Sequence, residues 1–118
     1  MPEEPVLDES IVDGLRRLGD DVVGEIVRLW FDNLEPTLSA MRSAAASGDG
    51  PALAAAAHSL RGSAANVGAA RLSAACAALE RAGRDAAAPE TVSALLATVE
   101  ADSATAQAAM SGLAAGPA

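Results

Sequence analysis

Apolar residues recur at steps of three and four along almost the whole chain, and short breakers cut them into separate stripes. Val23, Ile26, Trp30, Leu34, Leu38 and Met41 would share one face of a helix running roughly from Asp20 to Ser47. Leu53, Ala57, Leu60, Ala64 and Val67 form a second stripe, and Leu72, Cys76 and Leu79 a third. Val92, Leu96, Val99, Ala106, Met110 and Leu113 make the fourth. Ahead of them, "LDESIVDGLRRLG" has the pattern of a short helix entered through Asp8 or Ser10 and closed near Gly19. The breakers are "SGDGP" at Ser47 to Pro51, a turn at Asn66 to Gly68, and the stretch from Gly83 to Ala88 before Pro89 opens the last helix. Pro36 falls inside the longest run, where it should bend the helix or remove one backbone hydrogen bond.

Four stripes of comparable length joined by short turns predict an all-α fold, an antiparallel four-helix bundle with a short accessory N-terminal helix acting as a lid. With 118 residues the chain reads as one domain over 1–118, its core spanning about 7–113 between frayed tails that include "AAGPA". No strand-like alternation and no repeat is present. Composition sharpens this picture. The apolar fraction is 51% but is largely alanine, and aromatics are only 2%. That mixture favours helices in close approach over a sheet core of branched and aromatic side chains. Each large apolar residue would contribute about 1.5–3 kcal/mol when fully buried.

Charge excludes several function classes. The net charge is -8, and all eight basic residues are arginines without a basic stripe, a poor match to nucleic acid or anionic membranes. Charges and glycines interrupt every apolar run before it reaches the length of a membrane span. The acidic start "MPEEPVLDES" resembles neither a secretory signal nor a transit peptide. One cysteine, Cys76, permits no intrachain disulfide and is expected as a small buried hydrophobe in a cytoplasmic protein. Trp30 is expected in the core, and the carboxylates on solvated faces and at helix starts.

The candidate chemistry lies in "AHSLRGSAANVG", which holds the one histidine of the chain, His58. Leu60 lies about 200° around the helix from it, so His58 faces water if Leu53, Leu60 and Val67 face the core. Its neighbours on that outer face would be Ala54, Ala55, Arg61, Gly62 and Ala65. Glycine in mid-helix costs about 0.5–1 kcal/mol relative to alanine, so Gly62 suggests close approach of another molecule, with tight helix packing as the plainer alternative. A neutral imidazole is a nucleophile, and a guanidinium three residues on can hold phosphate oxygens in a bidentate fork. Together these features suggest a phosphoryl carrier.

"AHSLRGSAANVGAARLSAACAALE" resembles the signature of histidine phosphotransfer (HPt) domains: Ala-His-x-Leu-Lys/Arg-Gly-Ser, a small-residue stretch, Gly-Ala, Leu and Leu-Glu. The similarity extends over about Leu7 to Val99, including the helix and turn in "IVRLWFDNLEPTLSAMRSAAASGDGPALAAAAHSL". Arg61 stands where lysine is commoner. The resemblance implies that His58 accepts a phosphoryl group through the ring nitrogen farthest from the backbone. Arg61 would steady that group, and Gly62 would clear the surface for a partner. Gly68 would be a structural glycine, with Ser63 and Asn66 near the site. It further implies a phosphorelay in which His58 takes phosphoryl from a receiver-domain aspartate or a sensor kinase. His58 would then pass it to the receiver domain of a response regulator. The partners would be response regulators or hybrid histidine kinases, with no nucleic acid and no membrane, and the chain would be a monomer. No Gly-x-x-x-x-Gly-Lys-Ser/Thr loop is present, so the chain is not expected to be an enzyme that draws on ATP. No cofactor is expected, and a divalent metal would belong to the receiver. Docking would use the apolar and small-residue surface around His58 with Leu15, Leu18 and other residues of the first helix, and Arg71, Arg81 and Arg84 could add a positive patch or form ordinary surface salt bridges.

Three rivals are weaker. A sensor-kinase dimerisation domain usually has an acidic residue after the histidine and a proline a few positions on, where this chain has Ser59 and no such proline. A non-catalytic interaction bundle, including an HPt-like domain that has lost signalling, would have no need of His58, Arg61 and Gly62 together. A metal or haem bundle would need more ligands than one histidine and shows no inward Glu-x-x-His pattern.

Overall fold

A computed structural model describes residues 4–114, and the sequence motifs that should start and stop helices do so. Asp8 caps α1 (Glu9–Arg16), its carboxylate accepting from the backbone N–H of Ser10 at 2.9 Å. Of the two candidate caps, Asp8 is therefore the one used. Gly19 and Gly48 bracket α2 (Asp20–Ser47). Gly48 sits in the left-handed region at φ 69°, where the Asp49 N–H reaches back to the Ala44 carbonyl at 2.9 Å. Asp49 then caps α3 (Gly50–Asn66), accepting from Ala52 N–H at 3.1 Å, with Pro51 in the first turn. A tight turn at Gly68 leads into α4 (Ala70–Arg84), and α5 (Pro89–Ala114) completes the chain.

The bundle is the expected one. α3 packs most extensively on α4, α2 packs on α3, α4 packs on α5, and α5 returns to α2 to close the ring. Among the described residues there is no strand. None of these helices is long and apolar enough to cross a membrane. The expected tails at residues 1–3 and 115–118 lie outside the described residues. Pro36 does not divide α2, which continues through it as one helix. Pro36 is exposed, so the carbonyl it leaves without an N–H can turn to water.

Within the core, Met41, Leu72, Leu79, Met110, Val12 and Val99 are the largest fully buried side chains. Two details of the stripes differ from expectation. On α2, Val27 is fully buried and Ile26 only partly, because the seam takes Val23, Val27 and Trp30 and leaves Ile26 at its edge. On α5, Ser103 fills the seam between Val99 and Ala106, while Val92, Leu96 and Leu113 lie at the margin. Trp30 and Cys76 are buried as expected.

α1 lies against the end of the bundle rather than inside the ring. The Asp8 N–H donates to the Gly68 carbonyl at 2.6 Å, and the Arg71 N–H to the Pro5 carbonyl at 2.9 Å. Gly68 needs φ 78°, and a Cβ there would stand 2.9 Å from the Ile11 Cβ. Both its conformation and its closeness to α1 require glycine. At the other end, α3 and α4 touch backbone to backbone. A Cβ on Gly83 would meet the Gly50 carbonyl oxygen at 2.8 Å and the Ala54 nitrogen at 2.9 Å.

Those backbone atoms cannot move aside as a side-chain tip would. Gly83→Ala should therefore destabilise the fold by about 1–3 kcal/mol, read as a lower denaturant midpoint at unchanged slope. Burial and the nearby Asp102 carboxylate push the Cys76 thiol up to about 12. A proton is thus held more tightly when folded, so stability is complete below the unfolded thiol value and declines above it. With no lysine and no tyrosine in the chain, little else titrates in that alkaline window. Stability should fall by about 1.4 kcal/mol per pH unit from roughly pH 9 towards 12. In Cys76→Ala, denaturation curves across the same range should lose this slope.

Candidate functional site

His58 stands at the middle of α3 with Leu60 on the opposite, buried face, as the helical rotation requires. Its side chain is 62% exposed, so the ring is presented to solvent rather than packed. One edge is nevertheless held. Nδ1 lies 3.2 Å from Oε2 of Glu80 and 2.9 Å from Nη2 of Arg61. Nε2, farthest from the backbone, has no hydrogen-bond partner among the described residues.

Glu80 organises the site from α4. Its side chain is only 3% exposed, yet three groups meet its two oxygens. Arg61 Nε donates to Oε1 at 2.9 Å, while Arg84, one turn along α4, donates through Nη2 to the same Oε2 that faces His58. A buried carboxylate is tolerated when paired and hydrogen-bonded in this way, and removing one partner of such a pair commonly costs about 3–5 kcal/mol. Ser73 adds a further α3–α4 tie, its hydroxyl donating to the Arg61 carbonyl at 3.2 Å. Two guanidinium groups against one carboxylate leave a local excess of positive charge beside the imidazole. This local excess stands in a chain whose net charge is -8. Among the described residues no three His, Cys, Asp or Glu side chains converge as a metal site would require.

The residues anticipated around His58 divide unequally. Ala55, Gly62 and Ala65 are exposed on the same face. Among the described residues nothing lies within 4 Å of a Cβ built on Gly62, so this glycine serves no packing there and leaves open surface. Ala54 is a correction. It is buried at 7% exposure because the backbone of Gly83 crosses directly over it, so it belongs to the helix contact and not to the outer face. Leu18 is 57% exposed, whereas Leu15 is half-buried against the core. Ile11, a first-helix residue not named individually in advance, is partly exposed and lines one depression together with Arg61, Ala65, Gly68 and Ser73. This depression continues the His58 face onto α1.

Sequence reasoning also missed Glu80, which it placed with the solvated carboxylates. The available signal was its place beside Leu79 on an otherwise apolar stripe, four residues after Cys76 and four before Arg84. Of the three arginines considered for a patch, Arg84 is drawn into the Glu80 cluster. Arg71 donates to the Glu4 carbonyl at 3.0 Å, and Arg81 is exposed.

Fold and site together define a helical bundle that presents one polarised imidazole, flanked by guanidinium groups, to other molecules. A model of the Hpt domain matches residues 25–113, and the chain belongs to that family, whose members are phosphocarriers rather than kinases. The bundle is similar to histidine-containing phosphotransfer protein B (HptB) from Pseudomonas aeruginosa PAO1, with a TM-score of 0.88 at 24% identity, covering 97% of this chain and 98% of that one. It is also similar to the histidine-containing phosphotransfer protein MtHPt2 from Medicago truncatula, with a TM-score of 0.81 at 25% identity, covering 92% of this chain and 76% of that one. No curated protein matches the sequence.

Because a side chain at position 62 meets nothing, Gly62→Ala should gain helix propensity without strain. Stability should rise by about 0.5–1 kcal/mol, measured by chemical denaturation beside Gly83→Ala, which moves the other way.

Proposed function

We propose that His58 is the phospho-accepting residue of a phosphorelay. It takes a phosphoryl group from a receiver-domain phosphoaspartate, or from a sensor kinase, and passes it to the receiver domain of a response regulator. The observation that carries this reading is the exposed ring whose Nδ1 is engaged and whose Nε2 is free. The Nε2 lone pair attacks phosphorus, the bond from phosphorus to the donor oxygen breaks, and the carboxylate leaves with its electron pair. With Nδ1–H donating to Glu80, the positive charge that develops on the ring faces a carboxylate. Arg61 neutralises the phosphoryl oxygens as they approach. In-line transfer of this kind depends chiefly on positioning and charge compensation.

The chain acts as a carrier and not as an enzyme with its own ATP, and the divalent metal belongs to the receiver. The open surface at Gly62, Ala55 and Ala65, continued by Ile11 and Leu18, supports docking of a receiver on the α1–α3 face. A monomer working in the cytoplasm fits these features.

Incubation with phosphorylated receiver domains should place acid-labile, alkali-stable label on the wild-type chain and none on His58→Gln. Because the ring is largely solvent-facing and Arg61 and Arg84 both remain paired with Glu80, His58→Gln should cost about 1 kcal/mol or less in stability. Label that persists in His58→Gln, or never appears with any receiver tried, would remove His58 from this role.

A further inference from the structure

Nδ1 of His58 has two neighbours that it cannot satisfy together. Arg61 Nη2, at 2.9 Å, can only donate a hydrogen bond. Glu80 Oε2, at 3.2 Å, is an acceptor when the carboxylate is ionised. A neutral imidazole nitrogen carries either a proton or a lone pair in the ring plane. If Nδ1 accepts from Arg61, the ring proton resides on Nε2, and the nitrogen facing solvent has no lone pair to offer. If Nδ1 donates to Glu80, Nε2 is the nucleophile.

We infer that Arg61 is a positioning residue that holds the resting ring with its proton on Nε2, and that withdrawal of this guanidinium from Nδ1 arms the histidine. This rests on the reading of His58 as the phospho-acceptor and adds a control to it. The shorter of the two contacts is the one to Arg61, and its nitrogen arrives already fixed, since Nε of the same guanidinium is bound to Glu80 Oε1 at 2.9 Å. A phosphoryl group brought by a partner competes for that guanidinium. As Nη2 turns to the phosphoryl oxygens, Nδ1 loses its donor and takes up the proton, which Glu80 Oε2 accepts as a hydrogen bond. The proton leaves Nε2 through solvent and another arrives at Nδ1, so the ring remains neutral and no co-reactant is needed. One residue thereby stabilises the anion and releases the nucleophile only when the anion is present.

His58 is the one histidine, so ring nitrogen spectra need no assignment. Long-range proton–nitrogen correlation on the full ¹⁵N-labelled chain, at a pH where titration shows the ring neutral, reports the tautomer directly. Wild type should be mainly protonated on Nε2. Arg61→Met and Arg61→Ala, which retain Arg84 on Glu80, should shift the ratio at least threefold towards Nδ1–H, with backbone amide spectra confirming the fold. A wild-type ring already protonated on Nδ1, or a ratio unmoved in both variants, would overturn the inference. The measurement involves no phosphoryl transfer. A shifted ratio in a chain that takes no label from receivers would therefore count against the carrier reading while leaving the tautomer control in place.

Discussion

Everything at this site depends on one carboxylate held out of water. Glu80 is held out of water because Arg61 and Arg84 pair with its two oxygens, and those groups come from two different helices. Their meeting requires that α3 and α4 run unusually close. The requirement is met one turn away, where Gly83 passes so near Gly50 and Ala54 that neither glycine has room for a Cβ. Ala54 precedes His58 by four residues and Gly83 follows Glu80 by three, so the tight backbone contact and the polar cluster are adjacent layers of one helix interface. Small residues set the spacing, and the spacing makes the ion cluster possible.

The large apolar residues made the bundle legible. Leu34, Leu38, Leu53, Leu60, Leu72 and Leu79 mark their seams because each loses much by being left in water. Alanine carries no such mark. Ala54 and Ala55 are neighbours of identical chemistry, and only the crossing of Gly83 decides that the first is buried and the second exposed. His58 could be placed on the outer face from rotation alone, and Gly62 was informative because it departs from an alanine-rich background. The place of Glu80 on an apolar stripe hinted at burial, but its role was not legible, since its partner His58 lies 22 positions away. Its burial follows from helix pairing, which is a tertiary fact.

The arrangement also separates stability from chemistry. Leu60 and Ala64 anchor α3 from one side while His58, Gly62 and Ala65 occupy the other, so the working face contributes little to the core. Cys76 sits at full depth behind the site, one turn before Glu80, and keeps an inert protonated thiol there. α1 is tied to the turn after α3 through the Asp8–Gly68 hydrogen bond, which brings Ile11 next to Arg61 and enlarges the open face without covering His58. The open face is thus built from elements whose positions are fixed elsewhere.

Arginine at position 61 suits this geometry in a way that lysine would not. Its Nε reaches Glu80 Oε1 while its Nη2 reaches His58 Nδ1, two directed contacts from one rigid plane. A lysine has a single nitrogen on a flexible stem and would have to choose between the carboxylate and the ring. The fork links the buried charge of α4 to the exposed ring of α3, so a disturbance of the guanidinium by an outside anion is felt at both. Phosphate geometry favours the same fork. On the proposed carrier reading, a partner's phosphoryl group would compete for the hydrogen bonds that this guanidinium makes at rest, so the residue proposed to bind the anion would also be the one that senses it.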